Sequence, residues 1–368
     1  MIYNELGSSG LKVSALSFGS MRWANEEDCS EIIHRGMDRG MNYVDTSTGY
    51  IGGKSQVWVA NAIRHRRGEI LFSSKSFWAT SQTADKAYAR LVETLETLGL
   101  DYFDLYQIWG IGSVRMVKDA TKKGGTLEGL RKAEGEGLIR RGIGFTFHGP
   151  PKAFRAAVDT GEFVSATVSY NLSNREEQEQ IAYAAERGVG VILMNPLAGG
   201  PLAKPSDRRL DFLRREGTGP VYGALRFLLA NKNVATSLIG LATPDQVDED
   251  LRALESPEEL TEEFRQTLIR RMDDKKFTKA KVCTGCGYCR DCPQGFDPTR
   301  FMELVRDHAM YAATGEKRAD WLERHYAAVG TSLAAELGKC TECGQCQEKC
   351  PQKLPIAEEI RRAKEVLR

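Results

Sequence analysis

Eight of the chain's nine cysteines fall in two short runs near its C-terminus, and thiolates so spaced bind metal. The first run, CTGCGYCRDCP, carries Cys283, Cys286, Cys289 and Cys292; the second, CTECGQCQEKCP, carries Cys340, Cys343, Cys346 and Cys350. Two-residue gaps let consecutive thiolates converge on one small inorganic core, and a Cys followed by Pro closes each run. The second run fits C-x2-C-x2-C-x3-C-P, a spacing that binds a [4Fe–4S] cluster and lends its fourth Cys to a second cluster. The first run is one residue short before its last Cys. This rule assigns Cys283, Cys286, Cys289 and Cys350 to one cluster, and Cys340, Cys343, Cys346 and Cys292 to the other. Such centres carry single electrons. Zinc is the second reading, but it favours paired C-x2-C units with a longer gap between the pairs. Disulfides would need an oxidising compartment. No isolated C-x3-C-x2-C run for S-adenosylmethionine radical chemistry is present.

A second set of residues has proton-transfer chemistry. Asp45, Tyr50 and Lys75 each end or follow a short apolar run. A Lys ammonium beside a phenol lowers the phenol's pKa, and an Asp beside the Lys keeps it charged and oriented. A Tyr so placed donates a proton at neutral pH, as hydride transfer to a carbonyl requires. On position alone the trio also reads as rim residues. Trp109 ends a later run and His148 follows the next. Trp23 and Trp78 follow strands and read as pocket walls, while Trp58 lies on a helical pattern and reads as core. Cys29, the lone cysteine outside the runs, reads as a small buried residue.

These side chains need a scaffold. Eight strand-like runs, Val13–Phe18, Tyr43–Thr46, Ile70–Lys75, Phe103–Trp109, Gly142–Phe147, Ala166–Tyr170, Val191–Asn195 and Thr236–Ile239, alternate with amphipathic helical stretches. In REEQEQIAYAAERG, for example, Ile181, Ala184 and Ala185 make an apolar stripe. Gly36, Gly40, Gly99 and Gly188 fall where helices should end. Eight strand–helix units over about 250 residues predict an α/β fold, a (β/α)8 TIM barrel, with its chemistry at the C-terminal ends of the strands. An open doubly wound sheet would usually carry a Gly-rich loop after its first strand, and GSMRWANEED stands there instead. The barrel is expected over residues 1–255. Ser256 and Pro257 make a helix start, and 256–368 reads as a mainly helical domain with two [4Fe–4S] clusters. The segment GSVRMVKDATKKGGTLEG, after the fourth run, is expected to contribute to a lid.

The 368 residues are enough for two cores, and a net charge of +1 implies no nucleic-acid partner. The N-terminus has no apolar signal region, and no window approaches the roughly 20 apolar residues of a membrane span. A cytoplasmic protein, away from the membrane, is the expectation.

Together these motifs resemble the aldo/keto reductase family, and the whole chain resembles its branch with a C-terminal two-[4Fe–4S] ferredoxin-type module. YNELGSSGLKVSALSFGSM resembles the family's opening hairpin and first strand; NYVDTSTGYIGGKSQ resembles its Asp–Tyr motif; ILFSSK resembles the strand bearing its catalytic Lys; and DYFDLYQIW resembles the strand that normally ends in its catalytic His. GLIRRGIGFTFHG, VSYNLSNR, VILMNPLAGG and GLATPDQVDEDL resemble the later strands and cofactor loops. The resemblance implies catalytic roles for Asp45, Tyr50 and Lys75, and places Trp109 where the family has His. Indole N–H donates a hydrogen bond but exchanges no proton. In relatives, loss of this His can accompany a shift from C=O to C=C reduction.

The resemblance places cofactor contacts at Thr146, Met194, Asn195, Leu197, Gly240, Gln246 and Asp250. Thr146-Phe147 replaces the usual Ser-Asn, Met194 an aromatic, and Gln56 a Glu. GLATPDQVDEDL lacks basic residues for a 2′-phosphate, and Asp250 would repel one, so NAD(H) is slightly favoured over NADP(H). His148 reads as a loop or cofactor contact. The implied function is an iron–sulfur oxidoreductase acting on a small, apolar or aromatic carbonyl or enone. Tyr50 would donate the proton and the clusters would relay electrons, with a ferredoxin or flavoprotein as redox partner. The alternative is a catalytically altered barrel serving as an electron-transfer or partner-binding module.

Overall fold

The computed structural model describes residues 1–255, 259–274, 282–311, 317–327 and 332–367; the helix start expected at Ser256 and Pro257 lies outside them. Two strands open the chain, β1 (Tyr3–Glu5) and β2 (Lys12–Ser14), paired antiparallel with Asn4 opposite Val13. Eight parallel strands then close a barrel: β3 (Leu16–Gly19), β4 (Tyr43–Asp45), β5 (Leu71–Phe77), β6 (Leu105–Ile111), β7 (Ile143–Phe147), β8 (Ser165–Ser169), β9 (Gly190–Met194) and β10 (Thr236–Gly240). Pairing of Leu238 with Ser17 and Gly240 with Gly19 seals it.

The expected run Val13–Phe18 is two strands. Ser17 donates its hydroxyl to the Ser14 carbonyl at 3.0 Å, and the Ser14 amide donates to Asn42 Oδ1 at 2.7 Å. These side-chain bonds turn the chain between hairpin and barrel. Leu6, Leu11 and Val13 then pack with Tyr43, Leu105, Ile192 and Leu238, plugging the end where the strands begin.

Gly36 corrects another expectation. It lies inside the helix Glu26–Asp38, where a Cβ would meet the Phe18 ring at 2.4 Å. The cap role falls to Gly40, at φ 90°. The segment 112–129, expected to contribute to a lid, holds the helix Val114–Thr121 and the start of Thr126–Gly135, where Leu127 is buried and the Thr126 hydroxyl donates to the Ser81 carbonyl at 2.6 Å.

The chain falls into two compact units, Met1–Leu197 with Pro201–Arg271, and Ala198–Gly200 with Met272–Arg368. The division at 271/272 lies one helix beyond the expected 255/256. The helix Glu262–Asp273 reads as polar, but Arg265 is buried and donates to the Tyr170 hydroxyl at 2.7 Å, and Tyr170 stacks on Phe227. A buried, hydrogen-bonded Arg fastens that helix to the barrel unit.

The second unit is helical in its described residues. Pro298–Tyr311, Arg318–Ala327, Leu333–Gly338, Gln345–Lys349 and Ile356–Val366 bury Phe296, Phe301, Trp321, Leu322, Leu337 and Ile360 around Cys283, Cys289 and Cys350. No helix among the described residues is long and apolar enough to cross a membrane.

Candidate functional site

Strand side chains alternate faces, so residues two apart share one. On β4, β5 and β6 this groups Tyr43 with Asp45, Ser73 with Lys75 and Phe77, and Leu105 with Gln107 and Trp109. Tyr43 and Leu105 belong to the apolar plug. Above it lies a polar layer. Gln107, fully buried, donates to Asp45 Oδ2 at 2.6 Å and to Ser73 Oγ at 3.0 Å, and its carbonyl accepts from the Thr167 hydroxyl of β8 at 2.6 Å. Asp45 is thereby oriented from across the barrel.

Asp45 in turn ion-pairs with Lys75, which also donates to the Thr46 carbonyl at 2.8 Å. Burial works against the Lys75 charge, but Asp45 and Tyr50 outweigh it and hold its pKa above the ordinary value. Lys75 hydrogen-bonds Tyr50, with Nζ 4.8 Å from the phenol ring centre. Behind Tyr50, Ile51 (φ 52°), Gly52 (φ 63°) and Gly53 (φ 87°) run left-handed, a sequence of turns that glycines ease. The trio predicted from sequence is thus brought together at the C-terminal ends of β4 and β5.

Trp109 sits edge-on to Tyr50 at 5.7 Å between centroids, and edge-on to Phe77 at 5.0 Å. Its ring lies where a Gly49 Cβ would come within 3.2 Å, so a side chain at position 49 would crowd it. Phe77 is 47 % exposed. Sequence reasoning missed it because the expected strand stopped at Lys75; β5 runs two residues further and sets Phe77 opposite Trp109. Gln107 was missed too, although a lone polar residue inside LYQIW is the visible signal. Trp23 is buried, Trp78 is half-buried and Trp58, expected in the core, is only half-buried. Each indole N–H of Trp23 and Trp78 is buried without a hydrogen-bond partner in the described structure. Cys29 is fully buried, and burial pushes its thiol pKa far up, leaving it inert.

The expected cofactor residues lie on β7, β9 and β10, in the loop after β9 and in the helix Asp245–Leu251. Thr146 on β7 accepts the Gly110 amide at 2.9 Å, while Phe147 packs edge-on to Phe154. His148 follows β7, its amide bonded to the Ile111 carbonyl at 3.1 Å. Met194 ends β9. Asn195, at φ 62°, offers its carbonyl to Asn171 Nδ2 at 3.0 Å and its own side-chain amide to Ser169 at 3.3 Å. Leu197 is half-buried in the following loop and Gly240 ends β10, exposed. Gln246 Oε1 accepts the Ala242 amide at 2.7 Å and so shapes the loop after β10. A Cβ at Gly240 would come within 3.0 Å of the Arg22 side chain. Gln56 is buried with its side-chain carbonyl unpaired.

Asp250 departs from its expected role. It is 4 % exposed, and burial, with Glu249 behind it, pushes its carboxyl pKa up to about 8. Near neutral pH it is mainly protonated, so it presents little charge to repel a 2′-phosphate.

In the second unit, Cys283, Cys286, Cys289 and Cys350 line one cavity. Cys292, Cys340, Cys343 and Cys346 line another, which Cys289 also borders. Each cavity gathers three cysteines of one run and the last cysteine of the other. The runs wrap alike. The Gly285 amide donates to Cys283 Sγ at 3.4 Å, and the Glu342 amide to Cys340 Sγ at 3.4 Å. Gly285 (φ 65°) and Glu342 (φ 58°) share the left-handed turn that aims those amides. Four thiols around a cavity, with amides aimed at sulfur, suit a [4Fe–4S] cluster.

The aldo/keto reductase family profile matches residues 15–269. The chain belongs to the aldo/keto reductase family. A 4Fe-4S dicluster domain matches residues 279–354, so this reductase carries an iron–sulfur module after its barrel. An uncharacterised oxidoreductase, YqkF of Bacillus subtilis, is 26 % identical over 297 residues, covering 70 % of this chain and 92 % of the relative. L-galactose dehydrogenase of Arabidopsis thaliana is 27 % identical over 289 residues, covering 69 % and 88 %. The solved aldo-keto reductase AKR11C1 of Bacillus halodurans is 25 % identical with a TM-score of 0.64, covering 74 % of this chain and 96 % of that one. Family, barrel and dicluster domain agree with the expectations from sequence, and the chain is an oxidoreductase of this family.

Proposed function

We propose that this aldo/keto reductase interconverts a small, apolar or aromatic carbonyl or enone with its reduced form, and that Tyr50 supplies the proton. The observation that carries the reading is the buried Asp45–Lys75 pair hydrogen-bonded to Tyr50 beneath the Trp109–Phe77 edge. Tyr50 donates its hydroxyl proton to the substrate, and the Lys75 ammonium stabilises the negative charge left on the phenol oxygen. Asp45, fixed by Gln107 and Ser73, keeps Lys75 charged and in place. Trp109 offers only an N–H donor and an apolar face, so the substrate is oriented by packing and by Tyr50, without a second proton-exchanging group. Phe77 extends that face outwards, suiting a flat conjugated substrate.

In this reading Thr146, Met194, Asn195, Leu197, Gly240 and Gln246 hold the nucleotide across the strand ends and the loops after them, while Asp250 is buried in the helix behind them. Bound NAD(H) supplies the hydride. The absence of Lys or Arg from Gly240–Leu251 favours it over NADP(H); the protonated Asp250 adds little to that preference. A hydride carries two electrons and a cluster one, so exchange between barrel and cysteine module calls for an adapter, a flavin or a redox partner such as a ferredoxin or flavoprotein.

Carbonyl and enone panels turned over with NADH, anaerobically, test the reading. Tyr50→Phe should cut turnover by about 10²–10⁴-fold, the usual contribution of a general acid, with nucleotide affinity unchanged. Retained turnover would remove Tyr50 from the mechanism, and tighter binding of NADPH than NADH would reject the nucleotide preference.

A further inference from the structure

Thr299 is 1 % exposed, in the first turn of the helix Pro298–Tyr311, and its Oγ1 lies 3.2 Å from Cys289 Sγ. Either atom is able to donate in a free thiol. A cysteine that ligates iron has lost its proton, so in the clustered protein only the Thr299 hydroxyl donates. Its position favours this. A Thr deeper in a helix is drawn to the carbonyl four residues back, but at the second helical residue that carbonyl lies outside the helix. Cys289 borders both cysteine cavities, so the bond reaches the ligand that faces the neighbouring centre.

We propose that Thr299 raises the reduction potential of the cluster on Cys283, Cys286, Cys289 and Cys350, and so biases where an electron rests between the two centres. Adding one electron to a cluster raises the negative charge on its sulfurs. A buried hydroxyl aimed at one of them stabilises the reduced form more than the oxidised form, and hydrogen bonds to sulfur are among the levers that set such potentials. The proton stays on Thr299 throughout; only the electron moves. The inference rests on the dicluster assignment and is independent of the barrel's chemistry.

The test is an EPR-monitored redox titration of the full chain with dithionite, without nucleotide or substrate, alongside iron content per chain. Thr299→Val should lower one of the two midpoints and leave the other in place. Thr299→Ser, which keeps the hydroxyl, should titrate close to wild type. Thr299→Ala removes the hydroxyl without added apolar bulk and should lower the same midpoint. A loaded Val or Ala variant with both midpoints unchanged overturns the proposal, as does a Ser variant shifted as far as Val. Failure of both apolar variants to load iron, with Ser loading normally, would make the hydroxyl an assembly requirement and overturn the tuning role as stated.

Discussion

Lys75 shows how a buried charge is kept at the bottom of a barrel mouth. Burial favours the neutral amine, yet Asp45 and Tyr50 more than offset it. Loss of one partner of a buried ion pair typically costs about 3–5 kcal/mol because the other charge is left buried and unpaired, so Lys75 and Asp45 depend on each other. Asp250 is the opposite case, a buried acid with no compensating cation. Its carboxyl titrates near 8 in the fold against an ordinary value of 3.8. Between those two pH values the folded chain binds the extra proton, so this group lowers stability as pH rises and its effect levels off above about 8. Asp250→Asn should therefore gain on wild type in Tm from pH 4 to 8 and then hold a constant lead. A lead that does not grow with pH would mean Asp250 is ionised in the fold. The grouping of Asp45, Tyr50 and Lys75 was legible only through the family resemblance, since residue type and strand-end position alone also fit rim residues. Thr299 left no such mark, since nothing in DPTRF distinguishes a sulfur-bonded hydroxyl from a solvated one.

At the scale of elements, the strand order was legible and the strand ends were not. Period-two alternation marks a strand but not where its hydrogen bonds stop, so β5 reached Phe77 unannounced, and side-chain bonds from Ser17 and Asn42 divided Val13–Phe18. The helix Glu262–Asp273, read with the second domain, groups with the barrel unit through Arg271, and its buried face combines Arg265 with Leu268. Gly36 was read as a cap, whereas packing requires it: the Phe18 ring of β3 fills the place of its Cβ. Gly36→Ala should destabilise the barrel by about 1–3 kcal/mol through overpacking, lowering the denaturant midpoint with little change in slope. A neutral result would show that Phe18 moves aside freely.

For the whole molecule, the cysteine runs make a prediction that no single run contains. Each cavity gathers cysteines from both runs, so the second unit closes on itself through its metal sites. The spacing rule expects this pairing even though the first run is a residue short. Cys350→Ala should perturb the same EPR centre as Cys286→Ala, and Cys292→Ala the same centre as Cys343→Ala. The opposite pairing would confine each cluster to one run.

Joining an aldo/keto reductase barrel to a dicluster iron–sulfur module matters for turnover only if electrons pass between nucleotide and clusters. Anaerobic addition of NADH to the oxidised, iron-loaded protein, with its redox partner or a flavin present, measures this by EPR. The account predicts a reduced-cluster signal that approaches the dithionite level and is lost when nucleotide binding is blocked. Bound NADH with clusters that stay oxidised, in protein that dithionite reduces, would contradict it.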